Sequence, residues 1–219
     1  MDTDVLRAAY EAFAAVVRPL DDEESWRPTG CAGWVVRDLV FHCAGDAQRA
    51  LVALHTPAAG PPDRDAVTYW QDWAPDPAGA ANGRRFERVS ASMFLDFRQL
   101  RDLYLETTAA TVNAAADARP DLWVATQGRV LTAGDLVLTL VVEATVHHLD
   151  LVIDLPDAPG PAPAGLAAVR ATLDDLLGRP LPLDWSDEHY ARAATGRAPL
   201  TEPERRALGT DADRFPLFS

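Results

Sequence analysis

The stretch LVLTLVVEATVHHLDLVIDL, residues 136–155, predicts a buried helix, because it is long enough for five turns and apolar on nearly every side. Among the ionisable residues that interrupt it are Glu143, His147 and Asp150. At about 100° per residue, Glu143 and His147 lie about 40° apart around a helix, and Asp150 lies about 20° from Glu143. All three side chains are therefore expected to project from one face of the helix.

Those polar side chains need compensation in an apolar environment. Buried carboxylates and imidazoles cost free energy unless an opposite charge or a metal ion accompanies them. The spacing Glu143-x-x-x-His147 lets two side chains reach one ion, and a third ligand must then come from another helix. His42 lies midway along the second predicted helix and is the candidate for that third ligand.

The same residues also have an interpretation without a metal. His42 is then a hydrogen-bonded core histidine, and Glu143 pairs with an arginine of another helix. Helical spacing alone favours neither interpretation. Asp150 has three candidate roles, as a fourth ligand, as an acceptor for an imidazole N–H or as half of a helix-end ion pair, and we favour the acceptor. Asp46, one turn after His42, is a candidate for the same orienting role.

The remaining histidines and the cysteines are assigned structural roles. His148 projects about 100° away from its neighbour, so it is predicted to lie at the surface or at an interface. His55 and His189, at predicted helix ends, are expected to be solvated. Cys31 and Cys43 form no C-x-x-C motif, are expected to stay reduced and are interpreted as small buried hydrophobes.

The hydrophobic pattern predicts a mainly all-α protein. Long helices are expected over residues 4–20, 35–55, 84–117 and 136–155, and a short hairpin or extended crossover over residues 123–131. Residues 58–83 form a long Pro- and Gly-rich excursion, in which Trp70 and Trp73 either pack or line a substrate mouth. Thr132 with Asp135 predicts the cap that begins the fourth long helix.

Four long helices indicate an up-and-down four-helix bundle over residues 1–155, whose interior is a common place for metal sites. Residues 156–219 are predicted to add a small helical C-terminal extension. Its helices are expected at residues 164–177, 186–194 and 201–208, and Thr201 with Glu204 predicts a capping box for the last one.

The composition excludes several classes of partner. The net charge of −13 argues against nucleic acid and offers no general attraction for an anionic substrate. No apolar run of membrane-spanning length is free of charge, so no membrane span is predicted. The N-terminus lacks a basic stretch followed by an apolar block, so no signal peptide is predicted and a cytoplasmic protein is expected.

Two motifs and the C-terminal tail carry a family resemblance. The segments WRPTGCAGWVVRDLVFH (residues 26–42) and EATVHHLDL (residues 143–151), with the ending GR…RFPLFS (residues 196–219), resemble the mycothiol-dependent maleylpyruvate isomerase family. This family is a branch of the DinB-like four-helix proteins. Two departures stand out: Val35 occupies a position where the family commonly has Thr or Ser as a helix cap, and the classical isomerase has a larger C-terminal domain.

The resemblance implies a cofactor and a chemistry. A divalent metal, commonly zinc, would be held by His42 of the second helix and by Glu143 and His147 of the fourth. Mycothiol would be the thiol cosubstrate, and a bound cation favours the nucleophilic thiolate of such a thiol. The function expected from the resemblance is a transferase or isomerase that acts on a small electrophilic molecule.

Two other functions remain open. The first is a metal-dependent hydrolase, in which the ion activates water and no thiol is needed. The second is a binding or stress-response module that keeps the bundle and the ion without catalysis. The sequence leaves the oligomeric state open as well, with a homodimer through the Trp-rich excursion and His148 as one alternative.

Overall fold

The computed structural model describes residues 2–71 and 77–218. Within them it contains eight α-helices and one two-stranded antiparallel sheet. The elements are α1 (Thr3–Val17), α2 (Val36–Leu54), α3 (Pro77–Ser92), α4 (Phe97–Asp117), β1 (Trp123–Thr126), β2 (Arg129–Thr132), α5 (Ala133–Leu151), α6 (Pro163–Leu177), α7 (Asp187–Ala194) and α8 (Glu202–Leu208).

Helices α1, α2, α4 and α5 pack against one another as a four-helix bundle. Helix α1 packs against α4 and α5, and α2 packs against the same two helices. Consecutive helices α1 and α2 therefore lie across the bundle from each other. The mainly helical bundle predicted from the sequence is confirmed, and its fold is DinB-like.

Helix α5 is the core helix of the bundle, and it is buried on nearly all sides. The segment Ala133–Asp154 has the length and the mean hydropathy, 1.8, of a membrane span, but 72% of its most apolar window is buried inside the molecule. The buried core helix of a protein can have the same length and mean hydropathy as a membrane span. Its N-terminus is capped as predicted, because the hydroxyl of Thr132 accepts a hydrogen bond from the Asp135 backbone N–H at 3.0 Å.

The predicted hairpin before α5 is also confirmed. Strands β1 and β2 pair antiparallel from Trp123 opposite Thr132 to Thr126 opposite Arg129. The two residues of the turn, Gln127 and Gly128, have φ angles of 50° and 75°. In a two-residue hairpin, a turn with positive φ at both central residues matches the right-handed twist of the flanking strands.

The prediction of one helix over residues 84–117 is wrong, because the chain breaks between α3 and α4. Asp96 accepts a hydrogen bond from the Arg98 backbone N–H at 2.9 Å, and Asp22 accepts one from the Phe97 backbone N–H at 3.0 Å. These two carboxylates satisfy the first N–H groups of α4, which a continuous helix would have paired with its preceding turn. A new helix therefore begins at Phe97.

Helix α2 lacks a Ser or Thr cap, and a carboxylate stabilises its N-terminus instead. The backbone N–H of Val35 donates to Oδ2 of Asp38 at 3.0 Å, so the carboxylate three residues on supplies half of a capping box. Burial raises the pKa of Asp38, and the hydrogen bond from Val35 opposes that rise.

The C-terminal extension is helical, as predicted, and packs against the bundle. Helix α6 lies on α5, and their apolar side chains share one cluster, which includes Val142, Val146, Val169 and Leu173. The capping box of α8 is confirmed by the Thr201 and Glu204 side chains, each of which accepts a hydrogen bond from the other's backbone N–H. The division of the chain at residue 155 stays a prediction.

Candidate metal centre

Helices α2 and α5 bring the three predicted ligands together. Donor atoms of His42, Glu143 and His147 all lie within 4.8 Å of one another. Each side chain is mostly buried, with 12% to 22% of its surface exposed. The periodicity of α5 accounts for Glu143 and His147, which follow each other by one turn, and the packing of α2 on α5 adds His42.

The His147 ring lies between two carboxylates of its own helix. Its Nε2 is 3.3 Å from Oε2 of Glu143, and its Nδ1 is 3.0 Å from Oδ2 of Asp150. Asp150 is therefore the acceptor for an imidazole N–H, which is the role favoured from the sequence. This hydrogen bond fixes the orientation of the His147 ring.

The His42 ring has a parallel arrangement with one unexpected partner. Its Nδ1 is 3.3 Å from Oε1 of Glu87, on α3, and its Nε2 is 3.2 Å from Oδ2 of Asp46. Asp46 lies against this ring, where the sequence predicts an orienting carboxylate, and Glu87 is a second carboxylate partner that the sequence did not indicate. In each ring Nδ1 thus contacts one carboxylate, which is Glu87 for His42 and Asp150 for His147. Nε2 lies beside a second carboxylate, which is Asp46 for His42 and Glu143 for His147.

Asp150 also binds residues that the site analysis of the sequence missed. Arg197, after α7, donates to it in a bidentate manner, with Nε 2.9 Å from Oδ1 and Nη2 2.7 Å from Oδ2. The thiol of Cys31 lies 3.2 Å from Oδ2 of Asp150 and 3.7 Å from Nδ1 of His147. Cys31 is half-buried and belongs to this polar cluster, so its interpretation as a small buried hydrophobe is wrong; Cys43 is buried as predicted.

The carboxylates control the protonation of the two imidazoles. Burial alone would lower the pKa of His42, but Asp46 and Glu87 outweigh it, so this pKa lies above its ordinary value. For His147, burial is likewise outweighed, by the hydrogen bonds with Asp150, Cys31 and Glu143, and the pKa lies well above the ordinary value. The surrounding carboxylates therefore favour positive charge on these two rings.

The pKa values of the acidic partners shift in opposite directions. Burial raises the pKa of Asp46. Burial also acts to raise the pKa values of Glu143 and Asp150, but the hydrogen bond from His147 to each, and Arg197 beside Asp150, hold both pKa values below their ordinary range. The cluster consequently keeps ionised carboxylates in a mostly buried place.

A cleft of about 340 Å³ opens on these groups, which is within the usual size of small-molecule sites. Trp34, Trp70 and Phe218 give it aromatic walls, and the rings of Trp70 and Phe218 stack at a centroid distance of 4.6 Å. Trp70 thus packs and lines the cleft at once. The second residue of the predicted aromatic pair, Trp73, lies outside the described residues.

The prediction for His148 is wrong. This residue is 1% exposed, its Nε2 is 2.8 Å from the carbonyl oxygen of Pro159, and its ring meets that of Phe13 edge-on. Because α5 is buried all round, the face that carries His148 is interior, and it can contribute nothing to a dimer surface. His55 is exposed at the end of α2, as predicted, and His189 is half-exposed at the start of α7 beside Glu204.

These features define a class: a helical-bundle protein with a buried cluster of histidines and carboxylates that opens on a small-molecule cleft. A family model described as the mycothiol maleylpyruvate isomerase N-terminal domain matches residues 6–152. The chain belongs to this family, which is a family of enzymes. Among curated protein sequences, none matches the chain.

Two solved structures resemble the fold. One is the crystal structure of the mycothiol-dependent maleylpyruvate isomerase, with 19% sequence identity, a TM-score of 0.54 and coverage of 80% of this chain and 67% of that one. The other is a variant of the same enzyme with one histidine replaced by alanine, with 18% identity, the same TM-score and the same coverage. The likeness supports the DinB-like bundle deduced above.

Proposed function

We propose that this protein is a metal- and mycothiol-dependent transferase or isomerase that acts on a small electrophile. The observation that carries the proposal is the convergence of His42, Glu143 and His147 at one cleft, on a chain of this enzyme family. The metal is a divalent cation, and zinc is the ion that this donor set favours.

The donor set fits such an ion. Two imidazoles and one carboxylate are the ligands of many catalytic zinc sites, in which a fourth position stays open. Each ring uses its other nitrogen for a carboxylate, Glu87 or Asp150, as metal-binding histidines commonly do. In addition, Oδ2 of Asp46 and Oε2 of Glu87 are buried without a hydrogen-bond partner in the described part of the chain. A dication would compensate this negative charge.

The chemistry divides between the ion and the protein. When bound, a divalent cation lowers the pKa of an incoming thiol and so favours the thiolate. Arg197 and Asp150 hold the His147 ring in place, and Glu87 holds the His42 ring. Trp34, Trp70 and Phe218 shield the reacting group from water.

Two outcomes follow from attack by a thiol sulfur. Addition to one carbon of a conjugated double bond allows rotation, and loss of the same sulfur restores the double bond in the other configuration and returns the thiol. Displacement of a leaving group instead forms a carbon–sulfur bond and releases that group with its electron pair. The first outcome is isomerisation and the second is S-transfer.

Metal analysis of protein purified without a His tag tests the site. We expect about one divalent ion per chain in the wild type, and loss of that ion in His42→Ala with unchanged helical circular dichroism. His55→Ala is the matched control, because His55 is an exposed histidine at the end of the same helix. A wild type that fails to bind zinc after dialysis against it would refute the metal site.

Thiol dependence tests the reaction. Turnover of maleylpyruvate, or of 1-chloro-2,4-dinitrobenzene as a general acceptor, is expected only when mycothiol is present, and it should be lost in His42→Ala. Hydrolysis of 4-nitrophenyl acetate at the same site without any thiol would support the hydrolase instead. A wild type that binds the ion and turns over none of these compounds would support the non-catalytic module.

A further inference from the structure

A second cleft, of about 570 Å³, lies between α3 and the segment before and at the start of α2. One face of α3 forms one wall, with Ala81, Arg84, Arg85, Arg88, Val89 and Ser92. The opposite wall comes from residues 26–38, among them Trp26 and Gly33. We call this cleft the arginine groove.

Three guanidinium groups line the groove. Arg84, Arg85 and Arg88 are exposed, and none of them forms a hydrogen bond or an ion pair with another residue of the described ranges. The carboxylate that lines the groove, Asp38, accepts the Val35 backbone N–H. Burial raises the pKa of Asp38, and the charge of Arg88 is among the influences that oppose this rise, so Arg88 interacts electrostatically with that carboxylate. The groove therefore gathers three exposed arginines, with one carboxylate near Arg88, in a chain whose net charge is −13.

The groove is continuous with the candidate metal centre. Arg84 and Ala32 line both clefts. Helix α3 also reaches the metal donors directly, through Glu87, whose Oε1 is 3.3 Å from Nδ1 of His42. Arg84 lies three residues before Glu87 and Arg88 is its neighbour, so the same two turns of α3 face the donors and the groove.

We propose that the arginine groove binds the anionic end of a ligand whose other end lies in the cleft of His42, Glu143 and His147. A guanidinium group matches a carboxylate or a phosphate with two parallel hydrogen bonds, and three exposed guanidinium groups on one wall give the groove this chemistry. The electrophile of the proposed reaction is then an elongated molecule with an acidic group remote from its reacting carbon. The inference rests on the proposed function in one respect only, which is that the ligand reacts at the end that lies in the cleft of His42, Glu143 and His147.

Direct binding of small anions tests the groove without an activity assay. Titration calorimetry compares succinate, its neutral diester dimethyl succinate and inorganic phosphate. We expect succinate to bind and the diester not to bind. In the double variant Arg84→Met/Arg88→Met, the affinity for succinate should fall at least about tenfold, because charge-assisted hydrogen bonds are lost. Arg205→Met/Arg206→Met on α8 removes the same charge from another exposed place, and its affinity should change by less than about twofold.

A second variant separates the groove from the metal donors. His42→Ala removes a proposed ligand, and the groove should still bind succinate in that variant. If His42→Ala abolishes succinate binding while Arg84→Met/Arg88→Met retains it, the anion binds at the donors and the inference is wrong. Equal binding of succinate and its diester would also overturn it.

Competition identifies the kind of anion. Displacement of succinate by phosphate supports the common anion site, and the tighter of the two probes marks a carboxylate or a phosphate as the natural group. A wild type that lacks the metal but binds succinate through the two arginines would refute the proposed function and leave the groove assignment intact. Failure of the proposed function and failure of the groove assignment therefore give different results.

Discussion

His148 is a buried histidine whose protonation should oppose folding. Its Nε2–H donates to the carbonyl oxygen of Pro159, while its Nδ1 is buried without a partner among the described residues. Burial lowers the pKa of His148, and the bond to Pro159 only partly opposes this. A proton on Nδ1 would place an unpaired charge in the core.

The sign of the pH dependence follows from that lowered pKa. Above about pH 6.5 both the folded and the unfolded chain hold a neutral imidazole, and the full stability is present. As the pH falls below that value, the unfolded chain binds the proton first, so the free energy of unfolding falls by up to about 1.4 kcal/mol per pH unit. We expect His148→Gln to reduce this loss between pH 7 and pH 5, because an amide can donate to Pro159 without titrating.

Urea denaturation at several pH values, with a chelator present, measures the difference. His55→Gln, at an exposed position, is the control and should keep the slope of the wild type. A slope for His148→Gln equal to that of the wild type would show that this imidazole is protonated at no cost, and the account of its burial would be wrong.

At the same scale, periodicity explains some residues of the site and not others. Glu143, His147 and Asp150 share a face because an α-helix repeats every 3.6 residues, so their proximity follows from the sequence alone. Glu87 and Arg197 reach the site from α3 and from the loop after α7. Their positions depend on tertiary packing between distant segments, which no local spacing encodes.

At the scale of the element, Thr132 caps the helix that carries two of the candidate metal ligands, Glu143 and His147. The hydroxyl of Thr132 accepts a hydrogen bond from the Asp135 backbone N–H and donates one to the Asp135 carboxylate. These two bonds stabilise the N-terminal turn of α5. Thr132→Ala removes that acceptor and should lower the free energy of unfolding by about 1 kcal/mol.

Thermal and urea denaturation check this cap. Thr132→Ser is the matched variant, because it keeps the hydroxyl and loses only a methyl group, and it should retain most of the stability. If the Ser and Ala variants lose equal free energy, packing of the Thr132 methyl group stabilises this turn, and the hydroxyl does not.

The elements that the sequence predicts well have local signals in the chain. The capping residues before α5 and α8 and the Gln127-Gly128 turn each act within a few residues, so they are visible in the sequence. The break between α3 and α4 involves the local cap Asp96 and also Asp22, which is 75 residues away from Phe97 in the chain and accepts its N–H. An apolar pattern that continues across the break gives no sign of such a contact.

At the scale of the whole molecule, net charge and local charge differ. The value of −13 correctly describes an acidic protein, yet the arginine groove presents three exposed positive groups beside the candidate site. The electrostatic attraction that a small ligand experiences is set within about 10 Å at physiological salt, because farther charges are screened. An acidic protein can therefore bind an anion where its arginines gather.

The contact between the bundle and the C-terminal extension depends on one glycine. A Cβ atom at Gly165 of α6 would lie 2.4 Å from Oγ1 of Thr145 on α5, which is far closer than atoms can approach. Thr145 is buried, and its hydroxyl forms no hydrogen bond within the described residues. The two helices pack this closely only because residue 165 has no side chain.

A double-mutant cycle tests this contact. Gly165→Ala should lower the free energy of unfolding by about 1–3 kcal/mol, since the side chains must shift to admit the methyl group. In a Thr145→Ala background the hydroxyl is absent, and the same substitution should become neutral or stabilising, because alanine favours a helix over glycine by up to about 1 kcal/mol. Equal losses in both backgrounds would mean that α6 does not pack on Thr145, whereas a change of sign would place the extension on the core helix that carries the candidate metal ligands.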